Sequence, residues 1–145
     1  MDEATYQKGL AMYEKHDGSK YPFEAPWPSD PPSFKDVGRA SMSHSYGDSW
    51  TRNAIDMKTR SWITITLLAS YGTNPGELKR HIRRAMRSGI TKDELVDWII
   101  HLNTYLGVPR TREPARLCRE VWKEAAEAAA TATSSANGKA RAKKS

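Results

Sequence analysis

The sequence has a single cysteine, Cys118, among its 145 residues, and this scarcity excludes several kinds of chemistry. One thiol cannot form an internal disulfide, a dithiol redox pair or a thiolate metal site. We therefore predict a reducing compartment and a buried, structural role for Cys118. The sequence also lacks a glycine-rich phosphate loop and any cysteine/histidine spacing of the zinc type, so it predicts neither a cofactor nor a metal.

Long hydrophobic runs are also missing from the chain. No segment approaches the roughly 18 uninterrupted apolar residues of a membrane-spanning helix. The first residues, MDEATYQKG, are acidic and polar, whereas a secretory signal peptide begins basic and continues apolar. We therefore predict a soluble cytoplasmic protein that does not associate with a membrane.

Acidic residues are absent from the end of the chain, where four basic residues are concentrated: Lys139, Arg141, Lys143 and Lys144. These four supply most of the formal net charge of +6, so positive and negative charges nearly balance in the rest of the chain. We therefore expect no nucleic-acid partner. The hydrophobic fraction of 38% is low for a fully packed chain. We predict a disordered basic tail at residues 131–145.

The spacing of apolar residues predicts an all-α domain of five to six helices, without strand alternation or internal repeats. The predicted helices lie at 3–16, 33–47, 57–71, 77–88, 91–107 and about 111–130, with Val108-Pro109 as the break before the last. A strap with five prolines, residues 21–32, separates the first two. Residues 57–71 are apolar nearly all round, which predicts a central helix. The chain accordingly divides into a helix and strap at 1–33, a helical domain at 34–130 and the tail.

The helix at 77–88 carries the first candidate for chemistry. Glu77 and His81 stand at positions i and i+4 along one border of its apolar stripe. A carboxylate that orients an imidazole at the edge of a core makes a workable general acid/base. Such pairs are common on helices, so an ordinary surface pair is the alternative.

The opposite side of this helix is predicted to be basic, with Lys79, Arg80, Arg83, Arg84 and Arg87. A basic helix followed by a glycine turn and a capped helix has the outline of a helix-turn-helix. However, Asp93, Glu94 and Asp97 lie near the start of the next helix, where they would repel phosphate. A solvated face is therefore the favoured interpretation.

Two further groups could bind a substrate. Trp50, Arg52 and Arg60 flank the start of the central helix, where guanidinium groups and a helix N-terminus favour a carboxylate. The alternative is a helix cap with surface ion pairs. His101 and Tyr105 lie along one line of the helix at 91–107 and could handle protons. The alternative is that His101 is a structural histidine in the seam where two helices pack.

Together these segments resemble the carboxymuconolactone decarboxylase family. YGDSWTRNAIDMKTRSWITITLLASYG contains that family's aromatic-Gly-acid-x-Trp-x-Arg run and its Thr-Arg-Ser segment. ELKRHIRRAMRSGITKDELVDWIIHLNTYLGVP contains its Glu-Leu-x-x-His-x-Arg-x-Ala helix and its Tyr-x-Gly-Val-Pro end. The resemblance covers residues 34–125 and excludes the strap and the tail.

The resemblance implies an alkylhydroperoxidase D-like helical subunit that assembles into a homo-oligomeric ring, as a dimer, trimer or hexamer. It implies decarboxylation of a small anionic γ-lactone without a cofactor, because the lactone can itself hold the electron pair as a dienolate. Two alternatives stay open. One is an isomerase, cyclase or lactone-opening enzyme of a biosynthetic pathway, and the other is a non-catalytic binding module.

By the same resemblance, His81 is the general acid/base and Glu77 is its orienting partner. The implied substrate-binding residues are Arg60, Arg52 and Trp50, followed in rank by His101 and Tyr105. The dithiol peroxidases of the same superfamily have Cys-x-x-Cys-x-x-x-His spacing, and the two cysteine positions are Asn74 and Glu77 here. Dithiol peroxidase activity is therefore excluded.

Overall fold

The computed structural model of the chain describes residues 2–22, 29–72 and 74–142, with side chains as far as residue 133. The chain divides into two units, each of which is described by itself. The first unit contains Met1–Thr64 and Arg84–Ile90, and the second contains Ile65–Arg83 and Thr91–Ser145. None of the helices in the described part of the chain has the length and apolar character needed to cross a membrane.

Six α-helices make up most of the described residues, which contain no β-strand. They are α1 (Glu3–Asp17), α2 (Lys35–Ser41), α3 (Met57–Tyr71), α4 (Pro75–Arg87), α5 (Lys92–Leu106) and α6 (Val108–Ala142). A 3₁₀ turn (Pro32–Phe34) precedes α2, and a π-helix (Met42–Asp48) and a second 3₁₀ turn (Ser49–Thr51) follow it. The predicted all-α fold class is confirmed.

Side-chain caps explain where two of the helices begin. At α5 the Glu94 N–H donates to Thr91 Oγ1 at 3.1 Å, and the Thr91 N–H donates to the Glu94 carboxylate at 2.8 Å. This reciprocal pair is the capping box that the sequence predicts. At α3 the Asp56 carboxylate accepts the Thr59 N–H at 2.9 Å, as expected for a residue that starts a helix.

In the first unit, α1 packs against the π-helix with the two backbones in direct contact. A Cβ atom on Gly9 would overlap the carbonyl oxygen of Met42, and one on Gly47 would overlap that of Thr5. Tyr13, Met42 and Tyr46 form the buried core beside this crossing. Glycine is therefore needed at both positions so that the backbones can approach. The π-helical geometry is rare and is often found at functional sites.

We expect Gly47→Ala to lower the free energy of unfolding by about 1–3 kcal/mol, because the added methyl group overlaps backbone atoms. Gly76→Ala is the matched control. Its added Cβ would approach a side-chain atom, Asn74 Oδ1, at 3.1 Å, and a side chain can move aside where a backbone cannot. Urea unfolding of the purified variants measures both changes. Equal stability of the two variants would contradict the close backbone crossing.

In the second unit, buried residues from α3, α4, α5 and α6 form the core. They are Ile65, Ala69, Leu78, Ile82, Leu95, Trp98, Leu102, Leu117, Cys118 and Val121. The apolar stripes predicted for α4 and α5 therefore face inward. Cys118 is fully buried, as predicted, and burial raises the pKa of its thiol to about 12.

Ion pairs join α4 to α6 in the second unit. Lys79 Nζ lies 2.8 Å from a Glu120 carboxylate oxygen and 2.7 Å from one of Glu124. Arg83 Nη2 lies 2.9 Å from Glu124, and Arg116 of α6 pairs with Glu120 as well. Two basic residues of α4 therefore bind carboxylates of this chain, which supports a structural role for them over phosphate recognition.

Some helix boundaries differ from the prediction. Residues 33–47 are not one α-helix, since α2 is short and the backbone continues as the π-helix. Val108-Pro109 is not a break before the last helix but the beginning of α6. Proline is tolerated there because the N–H groups of a first helical turn have no acceptor within the helix, so the N–H that proline lacks is not missed. The backbone of α6 continues to Ala142, where we expected disorder, in agreement with the high helix propensity of alanine.

The surroundings of α3 also differ from the prediction. Ile63, Leu67 and Tyr71 stand at successive i+4 positions and are 46%, 49% and 77% exposed, so this helix is not enclosed on all sides. Two of the five prolines of the strap, Pro26 and Pro28, lie within residues 23–28, which are outside the described residues. The proposed domain boundaries at 33/34 and 130/131 stay predictions.

Candidate functional site

The second unit contains the predicted acid/base pair on α4. His81 is half-buried beside the fully buried Ile82, so it stands at the border of the apolar stripe, where the helical spacing placed it. Glu77 lies one turn earlier, and its carboxylate is 3.2 Å from the Arg80 guanidinium. A half-buried imidazole thus stands one helical turn after a carboxylate that an arginine holds. This arrangement suits a histidine that gains and loses a proton.

The second unit also contains His101 and Tyr105 on α5. Their ring centroids are 4.9 Å apart, so the structure brings this predicted pair together. Both residues are exposed, and Tyr105 has 74% of its surface accessible. The packing-seam alternative for His101 is therefore wrong, because exposed residues of α5 do not face its core.

The first unit contains Trp50, Arg52 and Arg60. Arg52 Nη2 donates to Asp48 Oδ1 at 3.0 Å. Arg60 donates from Nε to the Ile55 carbonyl at 3.0 Å and from Nη2 to the Arg52 carbonyl at 2.9 Å. Arg60 thereby fixes the loop that leads into α3, and Arg52 pairs with an exposed carboxylate that a substrate anion could replace.

The candidate residues are thus distributed over both units. The structure brings together Arg60 with Arg52, by a hydrogen bond, and His101 with Tyr105, by a ring contact. Trp50, half-buried, contacts aromatic rings of its own unit. The catalytic and binding roles implied by the resemblance stay predictions.

The sequence did not indicate a buried polar cluster in the first unit, and Arg84 is its centre. We expected Arg84 on a solvated face, but its side chain is only 3% exposed. Its Nε and Nη2 atoms lie 2.6 and 2.5 Å from Asp17 Oδ1, and its Nη1 donates to the Tyr46 hydroxyl at 2.8 Å. The guanidinium also stands 4.7 Å from the Tyr13 ring centroid. A buried arginine is thus held by an acid and two tyrosines.

His16 belongs to the same buried cluster. Its ring centroid lies 4.3 Å from that of Trp50, and its Nε2 lies 3.4 Å from Ser61 Oγ. The Ser61 hydroxyl donates to the Met57 carbonyl at 2.9 Å, so its proton is directed at the helix backbone and not at the imidazole. The 3.4 Å distance to His16 is long for a hydrogen bond, and the hydroxyl proton is already donated to the Met57 carbonyl. Ser61 therefore packs on His16 and is not an activated nucleophile.

The stability of the first unit is expected to depend on pH through His16. The pKa of His16 is lowered from 6.5 to about 4, mainly because burial removes hydration from the imidazolium and also because the Arg84 charge opposes it. Arg87 acts in the same direction and Asp17 in the opposite one. The unfolded chain therefore takes up this proton near pH 6.5 and the folded chain does not. Stability is fully present above that pH and decreases as the pH falls towards 4.

We expect the free energy of unfolding to fall by about 2 kcal/mol between pH 7.5 and pH 5 because of this histidine. Urea unfolding at the two pH values measures the change. In His16→Gln the decrease should be absent, whereas His44→Gln, which alters an exposed histidine, should retain it. The same pH dependence in His16→Gln and in the wild type would refute the assignment.

This cluster could not be found from the sequence because its members are far apart along the chain. Asp17 and Arg84 are separated by 67 positions, and Ser61 and His16 by 45. Helical spacing placed Arg84 among four other basic residues, where nothing distinguishes it. The available signal was the position of Asp17 just before Gly18, which ends α1 in the left-handed conformation.

The chain is similar to curated proteins over about half of its length. Over 80 residues the chain is 35% identical to "4-carboxymuconolactone decarboxylase" from Acinetobacter baylyi, covering 55% of this chain and 59% of that protein. Over 80 residues it is 26% identical to "Uncharacterized 15.0 kDa protein in nqo9-nqo10 intergenic region" from Paracoccus denitrificans, covering 54% of this chain and 60% of that protein. The chain spans about three fifths of the length of these curated relatives.

A family model matches more than half of the chain, at residues 35–120. The matched segment begins at α2, runs through α3, α4 and α5 and ends within α6. It contains the residues predicted for catalysis and substrate binding (Trp50, Arg52, Arg60, Glu77, His81, His101 and Tyr105) and excludes α1. The chain belongs to the carboxymuconolactone decarboxylase family.

Proposed function

We propose that the protein is a cofactor-independent lyase of the carboxymuconolactone decarboxylase type, acting on a small anionic lactone. The observation that carries this proposal is the 35% identity over 80 residues to a protein named as a 4-carboxymuconolactone decarboxylase. The matched family segment includes α4, on which His81 is half-buried at the edge of the core. A histidine in that position supports acid/base chemistry.

In the proposed reaction the bond between the ring carbon and its carboxylate breaks, and CO₂ leaves without the bonding electron pair. The pair enters a dienolate that extends to the lactone carbonyl. The His81 imidazolium then delivers a proton to the ring carbon next to that carbonyl, and water reprotonates the imidazole. One proton is consumed for each CO₂ released, and no external electron acceptor is required.

Glu77 is proposed to orient the His81 imidazole and to favour its protonated form. Its carboxylate lies 3.2 Å from Arg80, and this contact supports the role because it restricts the position of the acid. Glu77 can share its two oxygens between the arginine and the histidine. A protonated imidazole is the form that can supply the proton to carbon.

Arg52 and Arg60 are proposed to bind substrate carboxylates, with Trp50, His101 and Tyr105 as further contacts. Arg52 supports this role best, because it is exposed and its partner Asp48 can be exchanged for another anion. Arg60 directs two donor groups to backbone carbonyls, so it positions the loop and offers its remaining N–H groups to an anion.

We also propose that the protein acts as a homo-oligomer. Exposed apolar side chains support this proposal: Ile63, Leu67 and Tyr71 on α3 and Val96 and Ile100 on α5. Rows of this kind are typical of helix faces that bind another subunit. Sedimentation of the purified chain at several concentrations tests the proposal, and a monomer at all of them would contradict it.

The lyase proposal is tested by incubating the purified protein with 4-carboxymuconolactone. We expect enzyme-dependent release of CO₂, equal in amount to the lactone consumed, without added metal or cofactor. Consumption of the lactone without CO₂ would instead indicate isomerisation or ring opening. Failure to consume the lactone at all would contradict the assigned substrate.

A further inference from the structure

A groove of about 440 Å³ lies in the second unit, at the end of α3 and the beginnings of α4 and α6. Buried Ala69, Leu78 and Pro114 contribute apolar lining, while Tyr71 and Arg110 are exposed. Small-molecule sites have this size and character, with a mostly apolar lining and a few polar groups that orient the ligand.

Arg110 supplies the positive charge of this groove. Its Nη1 donates to the Ser70 carbonyl at 3.0 Å, which holds the guanidinium beside the end of α3. A guanidinium has five N–H donors in a fixed plane, so Arg110 can keep this bond and still receive a carboxylate in a two-point contact.

Glu113 supplies the negative charge of the groove. Arg116 donates to its two oxygens at 2.9 and 2.5 Å and holds the pKa of this carboxyl below its usual range. Glu113 therefore stays ionised at neutral pH, and Arg116 holds its carboxylate in place. Among the described residues that line it, the groove presents one cation, Arg110, and one fixed anion, Glu113, which favours one carboxylate on a ligand and opposes a second.

We propose that this groove binds a monocarboxylate with a flat apolar ring, the carboxylate on Arg110 and the ring against the lining of Ala69, Leu78 and Pro114. The rings of the groove's three prolines (Pro75, Pro109 and Pro114) restrict its backbone, so binding requires little rearrangement. Neither Glu77 nor His81 is among the described residues that line the groove. The inference therefore stands independently of the proposed lyase activity.

The test is calorimetric titration of the full chain with 2-naphthoate, which has the required ring and a single carboxylate. We expect saturable binding that Arg110→Gln weakens by about tenfold or more, because a charge-assisted contact is lost. Arg110→Lys should bind with intermediate affinity, because it keeps the charge but not the two-point geometry. Arg112→Gln, which changes an adjacent exposed arginine, should bind as the wild type does.

Two further ligands test the charge argument. Neutral 2-naphthamide should bind at least about tenfold more weakly than 2-naphthoate. The dianion 2,6-naphthalenedicarboxylate should bind more weakly than the monoanion to the wild type, and Glu113→Gln should reduce that difference. Absence of saturable binding, as when a second copy of the chain fills the groove, would overturn the proposal. Equal binding of the amide, or equal weakening in Arg112→Gln, would overturn it as well.

Discussion

The His81→Asn variant is expected to decarboxylate 4-carboxymuconolactone about 100-fold or more slowly than the wild-type protein. Asparagine fills a similar volume but cannot donate an acidic proton to carbon. Substrate binding should change less, so the loss is expected in kcat and only slightly in KM. Initial rates of CO₂ release over a range of lactone concentrations measure both quantities.

Two controls separate catalysis from folding in this experiment. His44→Asn changes an exposed histidine and should retain the wild-type rate. Circular dichroism during heating should show that His81→Asn remains folded. His81 is only half-buried, and asparagine can occupy the space that the imidazole leaves. A folded His81→Asn variant with a wild-type rate would remove His81 from the mechanism.

The Asp17→Asn variant is expected to lose about 3–5 kcal/mol of unfolding free energy. Arg84 is 3% exposed and Asp17 is 15% exposed, so the substitution leaves a buried guanidinium without its countercharge. The amide cannot replace the two charge-assisted contacts at 2.6 and 2.5 Å. Urea unfolding at pH 7.5 measures the change.

The exposed ion pair between Arg83 and Glu124 provides the comparison for this buried one. Arg83 is the immediate neighbour of Arg84, but its side chain is 48% exposed and solvent screens its charge. Arg83→Gln should therefore cost less than about 1 kcal/mol. If Asp17→Asn cost no more than Arg83→Gln, burial of the pair between Asp17 and Arg84 would not add to its contribution to stability.

Much of the fold is predictable from the sequence because local rules determine it. The capping box at Thr91 and the cap at Asp56 are read from residues only three positions apart. Apolar residues at helical spacing in α4 and α5 are the residues that the structure buries. The close approach of the π-helix to α1 at Gly47 and Thr5 is not predictable in this way, because the two residues are far apart along the chain.

The candidate site is only partly predictable, for the same reason. Helical spacing alone places His81 at the edge of the core. It cannot show that Arg60 is engaged by the Ile55 and Arg52 carbonyls, because the conformation of that loop decides the bond. Nor can it show that Arg84 is buried, because the partner that permits burial comes from α1. That helix lies outside the segment shared with the family.

The stereochemistry of proton delivery tests the role of His81 most directly. Decarboxylation is carried out in D₂O, and NMR with a chiral solvating agent locates the deuterium in the product and distinguishes its two mirror-image configurations. A proton donor fixed in the protein reaches one face of the dienolate, so the wild type should give one deuterium, in a single configuration, on the ring carbon next to the lactone carbonyl. An equal mixture of configurations from the wild type would show that bulk water supplies the proton and would contradict the mechanism.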